Sequence, residues 1–530
     1  MENMKLSKET LKNMSNEALV EIILLLQNNI EQLNRNVELL TEQIKINNQR
    51  KFGRSTETAS SLFEFQQFDL AFNEAEAIAD ETVEEPTVEQ LPKKKKQKGT
   101  KENNLKKIAN HREVIIEMTN DELNEKYGEG KWKKLPMETV VKLEHHPAYF
   151  EVVTYKIGVY AKNDNETIIR AERPQELLPG SIVTPSLMSS ILFAKYVNAV
   201  PLYRQEQAYQ SSDVLISRQN MANWTIKVSE QYFKAYYDEM KKEMIHEKIL
   251  NVDETPFLVT KDGRKAGSKS YMWVYRSSND KEMVLYDYQL TRKAEHPQHF
   301  LSDYDGIIVS DGYAAYHKLA KEHPERFRVA GCWAHLKRIF ATSIKSVGKE
   351  TSKGTVAETA SIKISNLYHM DNKGKDMTTE ERTKYRQEII KPLVDEFFEW
   401  AKAILPKVPT NSETGKGLQY AINQEAYLRT FLTNPIIPLD NNAAERSIRP
   451  FCLGKKNWVM IDTIQGAHAS AIIYSIVETA KANNLKIYDY LKYLLEELPK
   501  YVTTTKSEIP SKLFPWSTDF PQELRKATDK

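Results

Sequence analysis

Three acidic residues sit where acids are costly unless they do something. Asp253 lies inside the apolar run "KILNVDETPFLV", Asp311 closes the run "DGIIVSD", and Glu445 falls early in the helix-forming stretch "LDNNAAERSIRP". A carboxylate inside a buried strand destabilises a fold unless it is paired or bound to a metal. Two such acids on neighbouring strands, joined by a third near a helix start, suit a hard divalent cation. Magnesium takes oxygen ligands and keeps waters for substrate phosphates. Two ions about 3.5–4 Å apart activate an attacking oxygen and stabilise a leaving one. The expected cofactor is therefore a pair of Mg2+ ions, with Mn2+ as the substitute, held by Asp253, Asp311 and Glu445.

The cations behind Glu445 fit that chemistry. Arg446, Arg449, Lys455 and Lys456 are suited to hold a phosphodiester. His335 and Lys337 in "CWAHLKR" are further candidates to approach the phosphate. Asp440 is either a further ligand or the cap of the Glu445 helix, and capping is the preferred reading. Trp333, Cys332 and Cys452 read as core. The plain alternative is three independent surface acids in salt bridges.

Elements to position these acids are legible around them. Three strands ("KILNVDETPFLV", "SYMWVYRSS", "EMVLYDYQL") precede a helix. Then come a strand ending on Asp311, a helix, a strand in "RVAGCWAHLKRIF" and a helix. That order is the ribonuclease H-like arrangement of a mixed sheet flanked by helices. Upstream, "DVLISRQNMANW" reads as a turn into a helix capped by Ser217. Its first turn carries Arg218, Gln219 and Asn220, as in the reading helix of a helix-turn-helix. Simple helix packing is the alternative.

The N-terminal part has a different character. Leu19, Ile23, Leu26, Ile30, Leu33, Val37, Leu40 and Ile44 form a heptad seam, which predicts a coiled coil between chains. Residues 73–90 hold seven acids and no base, and "LPKKKKQKGTKENN" follows with its lysine run. Like-charge blocks with few aromatics read as linker. The strand-like stretch "TVVKLEHHPAYFEVVTYKIGVYA" contains His145 and His146, whose adjacent side chains point to opposite faces and read as structural.

At 530 residues several domains are expected, and a net charge of +2 makes any nucleic-acid footprint local. Two cysteines exclude a disulfide scaffold and a zinc site built mainly from cysteine. No apolar run is long enough to predict a membrane span, and the first ten residues do not read as a secretory signal. A reducing cytoplasm is the compartment expected.

These motifs resemble the DDE transposases of the insertion sequence 66 family, in the large catalytic subunit. The resemblance covers nearly the whole chain. It rests on "KFGRSTE", "VPLYRQEQ" with "ISRQNMANW", "VDETP", "VSDGYAAY", "GCWAHLKRIF" and "LDNNAAERSIRPFCLGKKNW". It implies that Asp253, Asp311 and Glu445 are the catalytic triad, and that residues 345–434 are a helical insertion before the glutamate. It also implies DNA partners (element ends and target), self-association and small accessory proteins. The family usually carries a cysteine-rich zinc module before the helix-turn-helix. No cysteine precedes Cys332 here, so no zinc is expected.

The resulting reading is a multidomain α/β transposase that cleaves and transfers strands. Its parts are a coiled coil (1–50), a linker (51–104), a small β-rich module (105–182) and helix-turn-helix-like helices (183–235). A core (236–344 and 436–482), interrupted by the insertion (345–435), and a C-terminal helix and tail (483–530) complete it. The alternatives are a ribonuclease H-like nuclease without strand transfer, and a DNA-binding regulator with an inactive site.

Overall fold

The computed structural model describes residues 175–277, 281–347, 351–502 and 508–527, together with 15–16, 18–30, 32–34, 37, 121, 129, 150, 153, 159–161 and 168–170. The chain divides into two compact units, one of residues 1–54 and 174–526, the other of 55–173 and 527–530. In the smaller unit, β1 (Val159–Ala161) pairs antiparallel with β2 (Ile168–Arg170). His145, His146 and the whole of the expected linker lie outside the described residues.

In the larger unit the described residues between 16 and 37 are helical. The seam residues Ile23, Leu26, Ile30, Leu33 and Val37 are all more than half exposed. Leu40 and Ile44 lie outside the described residues. Three helices then pack near one another: α1 (Pro185–Tyr196), α2 (Leu202–Gln210) and α3 (Arg218–Val228). Ser217 caps α3, its hydroxyl accepting from the Asn220 N–H at 3.2 Å. After one π-helical turn, α4 (Lys234–Met244) leads into the sheet.

A six-stranded mixed sheet forms the centre of this unit. Its strands are β3 (Ile249–Lys261), β4 (Lys269–Ser277), β5 (Val284–Gln289), β6 (Gly306–Ser310), β7 (Phe327–Gly331) and β8 (Ile461–Thr463). The order is β5-β4-β3-β6-β7, with β8 paired to the far end of β3. The first three strands run antiparallel, as hairpin spacing predicts, whereas β6 and β7 run parallel to β3 and need crossover helices. Those helices are α5 (Glu295–Phe300) and α6 (Ala314–Glu322). β3 opens with Ile249, Leu250, Asn251, Val252 and Asp253 all buried, which marks a strand covered on both faces.

After β7, α7 (Trp333–Val347) starts a helical stretch. It continues through α8 (Val356–Lys373), α9 (Thr379–Tyr385), α10 (Lys391–Ile404), α11 (Glu413–Asn423) and the short α12 (Glu425–Leu428). Trp333, Phe397, Phe398 and Phe431 stack edge to face and tie these helices to the end of β7. The chain returns to the sheet through α13 (Asn442–Trp458), α14 (Ile464–Ala482) and α15 (Ile487–Tyr501). α14 is apolar almost all round and buried accordingly. It also closes the free edge of β5, since Ser475 and Thr479 accept the Tyr286 and Val284 N–H groups at 2.7 and 3.0 Å. Among the described residues no helix is long and apolar enough to cross a membrane.

Arg386 locks the return path. It is fully buried and donates to both oxygens of Asp371 at 2.8 and 3.0 Å. Its Nη1 reaches the carbonyls of Phe431, Asn434 and Ile437 at 2.8, 3.1 and 3.0 Å. A guanidinium satisfied this completely fixes the strap that leads into α13. Asp371→Asn would leave the buried cation without its counter-charge. The expected loss is about 3–5 kcal/mol in urea unfolding of the helical region; a loss under about 1 kcal/mol would show that the pair is not structural.

Candidate active site

β3 and β6 bring two acids side by side. Asn251 pairs with Val309 in the parallel register, so continuing it by two residues sets Asp253 opposite Asp311, just beyond β6. Neighbouring strands lie about 4.8 Å apart, which makes the two carboxylates electrostatic neighbours. Asp253 is only 6% exposed. Its Oδ1 accepts from the Glu254 N–H at 2.8 Å, whereas its buried Oδ2 has no hydrogen-bond partner among the described residues. Burial, followed by the charges of Asp311, Glu254 and Glu445, pushes Asp253 well above the usual carboxylate range.

Glu445 reaches this place because Asn441 anchors α13 to β3. The buried Asn441 side chain donates to the Val252 carbonyl at 2.7 Å and accepts from Asn251 Nδ2 at 2.9 Å. Its own N–H points to Cys332 Sγ at 3.2 Å. Asp440 Oδ1 accepts the Asn442 N–H at 3.0 Å in an Asx turn just before α13, whose cap residue is Asn441 rather than the Asp440 expected from the sequence. Burial lifts the Cys332 thiol to about 12, consistent with a packed core residue, and Trp333 and Cys452 are buried as well.

Two guanidiniums attend the acids. Arg338, on α7, donates through Nη2 to Glu445 Oε2 at 2.6 Å. Arg292 donates through Nε to Glu254 Oε1 at 2.8 Å, lies 4.2 Å over the Tyr313 ring, and accepts the Tyr313 hydroxyl on its carbonyl. Burial and the Asp311 charge still push Glu254 up to about 7, against the pull of Arg292. His335 stands on the same face of α7 as Arg338, one turn earlier, and burial lowers its pKa against the pull of Asp311. Its ring is 5.3 Å from Tyr420, whose hydroxyl donates to the Asp311 carbonyl at 2.6 Å. Gly312 follows at φ +94°, and a Cβ there would meet that hydroxyl at 2.9 Å, so both backbone shape and space call for glycine.

The donors fit a hard cation in kind. Four carboxylates face two guanidiniums, and a bare, buried oxygen remains on Asp253. As arranged, however, no three His, Cys, Asp or Glu side chains among the described residues form a metal cluster. Glu445 is instead engaged by Arg338, so the salt bridge foreseen as the plain alternative exists, with a partner on another helix.

The other sequence candidates are dispersed. Arg446, Arg449 and Lys456 are exposed along α13, and Arg446 lies in electrostatic reach of Arg276. Lys455 is half-buried, its ammonium on the Pro256 carbonyl at 2.7 Å. Lys337 is two residues from His335 and therefore on another face of α7. Arg218, Gln219 and Asn220 are exposed at the start of α3, with Arg218 stacked 5.4 Å from the Tyr203 ring. Sequence reasoning missed Arg292, Arg338 and Tyr420; Asn441 stands at the helix start that the stretch "LDNNAAERSIRP" announces, but its anchoring bonds to β3 do not show there. Of the missed residues only Arg338 had a local signal, the three-residue helical spacing from His335.

Comparison with known proteins agrees with this architecture. The sequence model of the Transposase IS66 family matches residues 180–469, more than half of the 530. The IS66 C-terminal element matches 475–516, and the model described as Transposase C of IS166 homeodomain matches 39–108, which overlaps the expected linker. The chain belongs to the IS66 transposase family. Three relatives from Sinorhizobium fredii are similar to it, each named only as an uncharacterized protein. The protein y4qI is 27% identical over 91% of this chain and 89% of its own length. The protein y4hP is 26% identical over 73% and 72%, and y4jD is 25% identical over 66% and 69%.

Glu254 yields a pH test. Its folded pKa lies above its unfolded value, so the folded chain holds the extra proton and stability falls as pH rises from about 4.5 towards 7. In metal-free buffer the melting temperature should drop across that window, and Glu254→Gln should flatten the drop. A variant that retains the parental slope would assign the pH dependence to another group.

Proposed function

We propose that this transposase cleaves and joins DNA strands by direct phosphodiester attack at a DDE site of Asp253, Asp311 and Glu445, on a ribonuclease H-like core. The reading is carried by the buried, unpartnered Asp253 oxygen beside Asp311, with Glu445 delivered to the same place by the Asn441 anchor. Two Mg2+ or Mn2+ ions, held by these three carboxylates, would supply a nucleophile at neutral pH and stabilise charge on the leaving oxygen.

The chain's own groups do the rest. Tyr420 and Gly312 fix the backbone that carries Asp311. Arg446, Arg449 and Lys456 are exposed and would meet the DNA backbone, and the exposed first turn of α3 would meet base edges. The apolar face of the N-terminal helix suits pairing of chains, which holding two DNA ends requires. We read residues 236–344 and 436–482 as the catalytic core and 345–435 as its insertion.

The test is strand cleavage and joining in Mg2+ with labelled element ends. Asp253→Asn, Asp311→Asn and Glu445→Gln should each lose several orders of magnitude, and any pair should lose little more, because the three act as one unit. Duplex binding should persist in all of them. Near-parental cutting by Glu445→Gln would remove it from the triad, and cutting without joining in the parent would make the chain a nuclease.

A further inference from the structure

The Arg338–Glu445 pair differs from every other contact of the site. It joins two separate helices, α7 and α13, whose starts are tied by the Trp333 N–H on the Leu439 carbonyl at 3.0 Å. Arg338 is 29% exposed and Glu445 12%, so the pair is reachable from solvent yet sheltered from full screening. Arg292 is held differently. It bonds Glu254 through Nε and Nη2, and its plane is stacked on Tyr313. Arg338 meets its acid through Nη2 alone, which leaves the rest of its fork open to a second acceptor.

A guanidinium fork fits a phosphate as well as a carboxylate. A phosphodiester arriving beside Asp253 and Asp311 would therefore compete with Glu445 for Arg338. Loss of Arg338 would return the Glu445 charge to a place already strained by Asp253 and Asp311. A bound cation relieves that repulsion while leaving the carboxylates ionised.

We propose that Arg338 is a phosphate-binding and positioning residue, which exchanges the Glu445 carboxylate for a phosphodiester oxygen of the entering strand and so releases Glu445 to join Asp253 and Asp311. This rests on the DNA-cutting reading above. Without DNA the third carboxylate is latched to α7, and the site takes up its ions weakly. With DNA the latch opens. Cation and DNA binding are then coupled, and the coupling is reciprocal: each tightens the other by the same factor.

The test uses the full chain, Mn2+ as the cation and a short duplex of arbitrary sequence. Free Mn2+ is counted by its paramagnetic resonance signal, corrected for Mn2+ held by the duplex alone. In the parent the duplex should tighten Mn2+ binding by about 5–150-fold, the usual range of such couplings. Arg338→Gln should bind Mn2+ without DNA as tightly as the parent does with it, and the duplex should add nothing. Arg338→Lys keeps the charge without the fork and should retain only part of the coupling. Glu445→Gln opens the same pair from the other side and should bind the duplex about tenfold more tightly than the parent at equal salt. It also serves as the deciding variant if Arg338→Gln fails to fold. Full duplex coupling in Arg338→Gln, or parental duplex affinity in Glu445→Gln, would overturn the latch. If Asp253→Asn abolishes Mn2+ binding in those same experiments, the carboxylate site stands and only the latch falls. If Asp253→Asn leaves Mn2+ binding unchanged, the DNA-cutting reading falls and the latch with it.

Discussion

Negative charge gathered where β6 ends beside β3 is the constraint on which the rest of the structure depends. Asp253 is buried, out of reach of the bulk water that relieves a surface acid, and Asp311 stands across the parallel pair. Glu254 and Glu445 add to that charge, and each is met by an arginine from a separate element. What remains uncompensated is the Asp253 oxygen that no protein donor approaches. A fold that kept this feature only for stability would do better with an apolar side chain there. On the reading proposed above, the arrangement is a place prepared for a cation and a phosphate.

The helical stretch between α7 and α13 is part of that preparation. Through Tyr420 it holds the Asp311 backbone, and through Arg386 it fixes the strap from Phe431 to Ile437 that precedes α13. Asn441 then docks the start of α13 on β3. Glu445 is thus delivered by a chain of buried polar contacts, each fully satisfied, rather than by apolar packing alone. Such contacts are geometrically demanding, and they define where the third acid stands.

Much of this was legible in the sequence for simple reasons. Acids inside or at the end of apolar runs stand out, so Asp253 and Asp311 could be picked from their neighbours alone. Strand lengths and hairpin spacing gave the succession of β3 to β7 along the chain, and the helical course of the described residues between 16 and 37 followed from their period. The long-range partners were not legible. Arg292 and Tyr420 are 38 and 109 residues from the acids they serve, and Asn441 takes its partners on β3 from 189 and 190 residues away. Choosing Lys337 over Arg338 was a matter of charge counted without helical phase. β8 is three residues long and is defined only by its pairing with β3, so no local pattern announces it.

The central claim is that Asp253 and Asp311 share a cation site that Glu445 completes. Anomalous diffraction from crystals grown with Mn2+ and a short duplex tests it most directly. Mn2+ density is expected in contact with both Asp253 and Asp311, with the Glu445 carboxylate turned from Arg338 towards it. Density bound elsewhere on the chain, with Asp253 still buried and without a ligand, would contradict it.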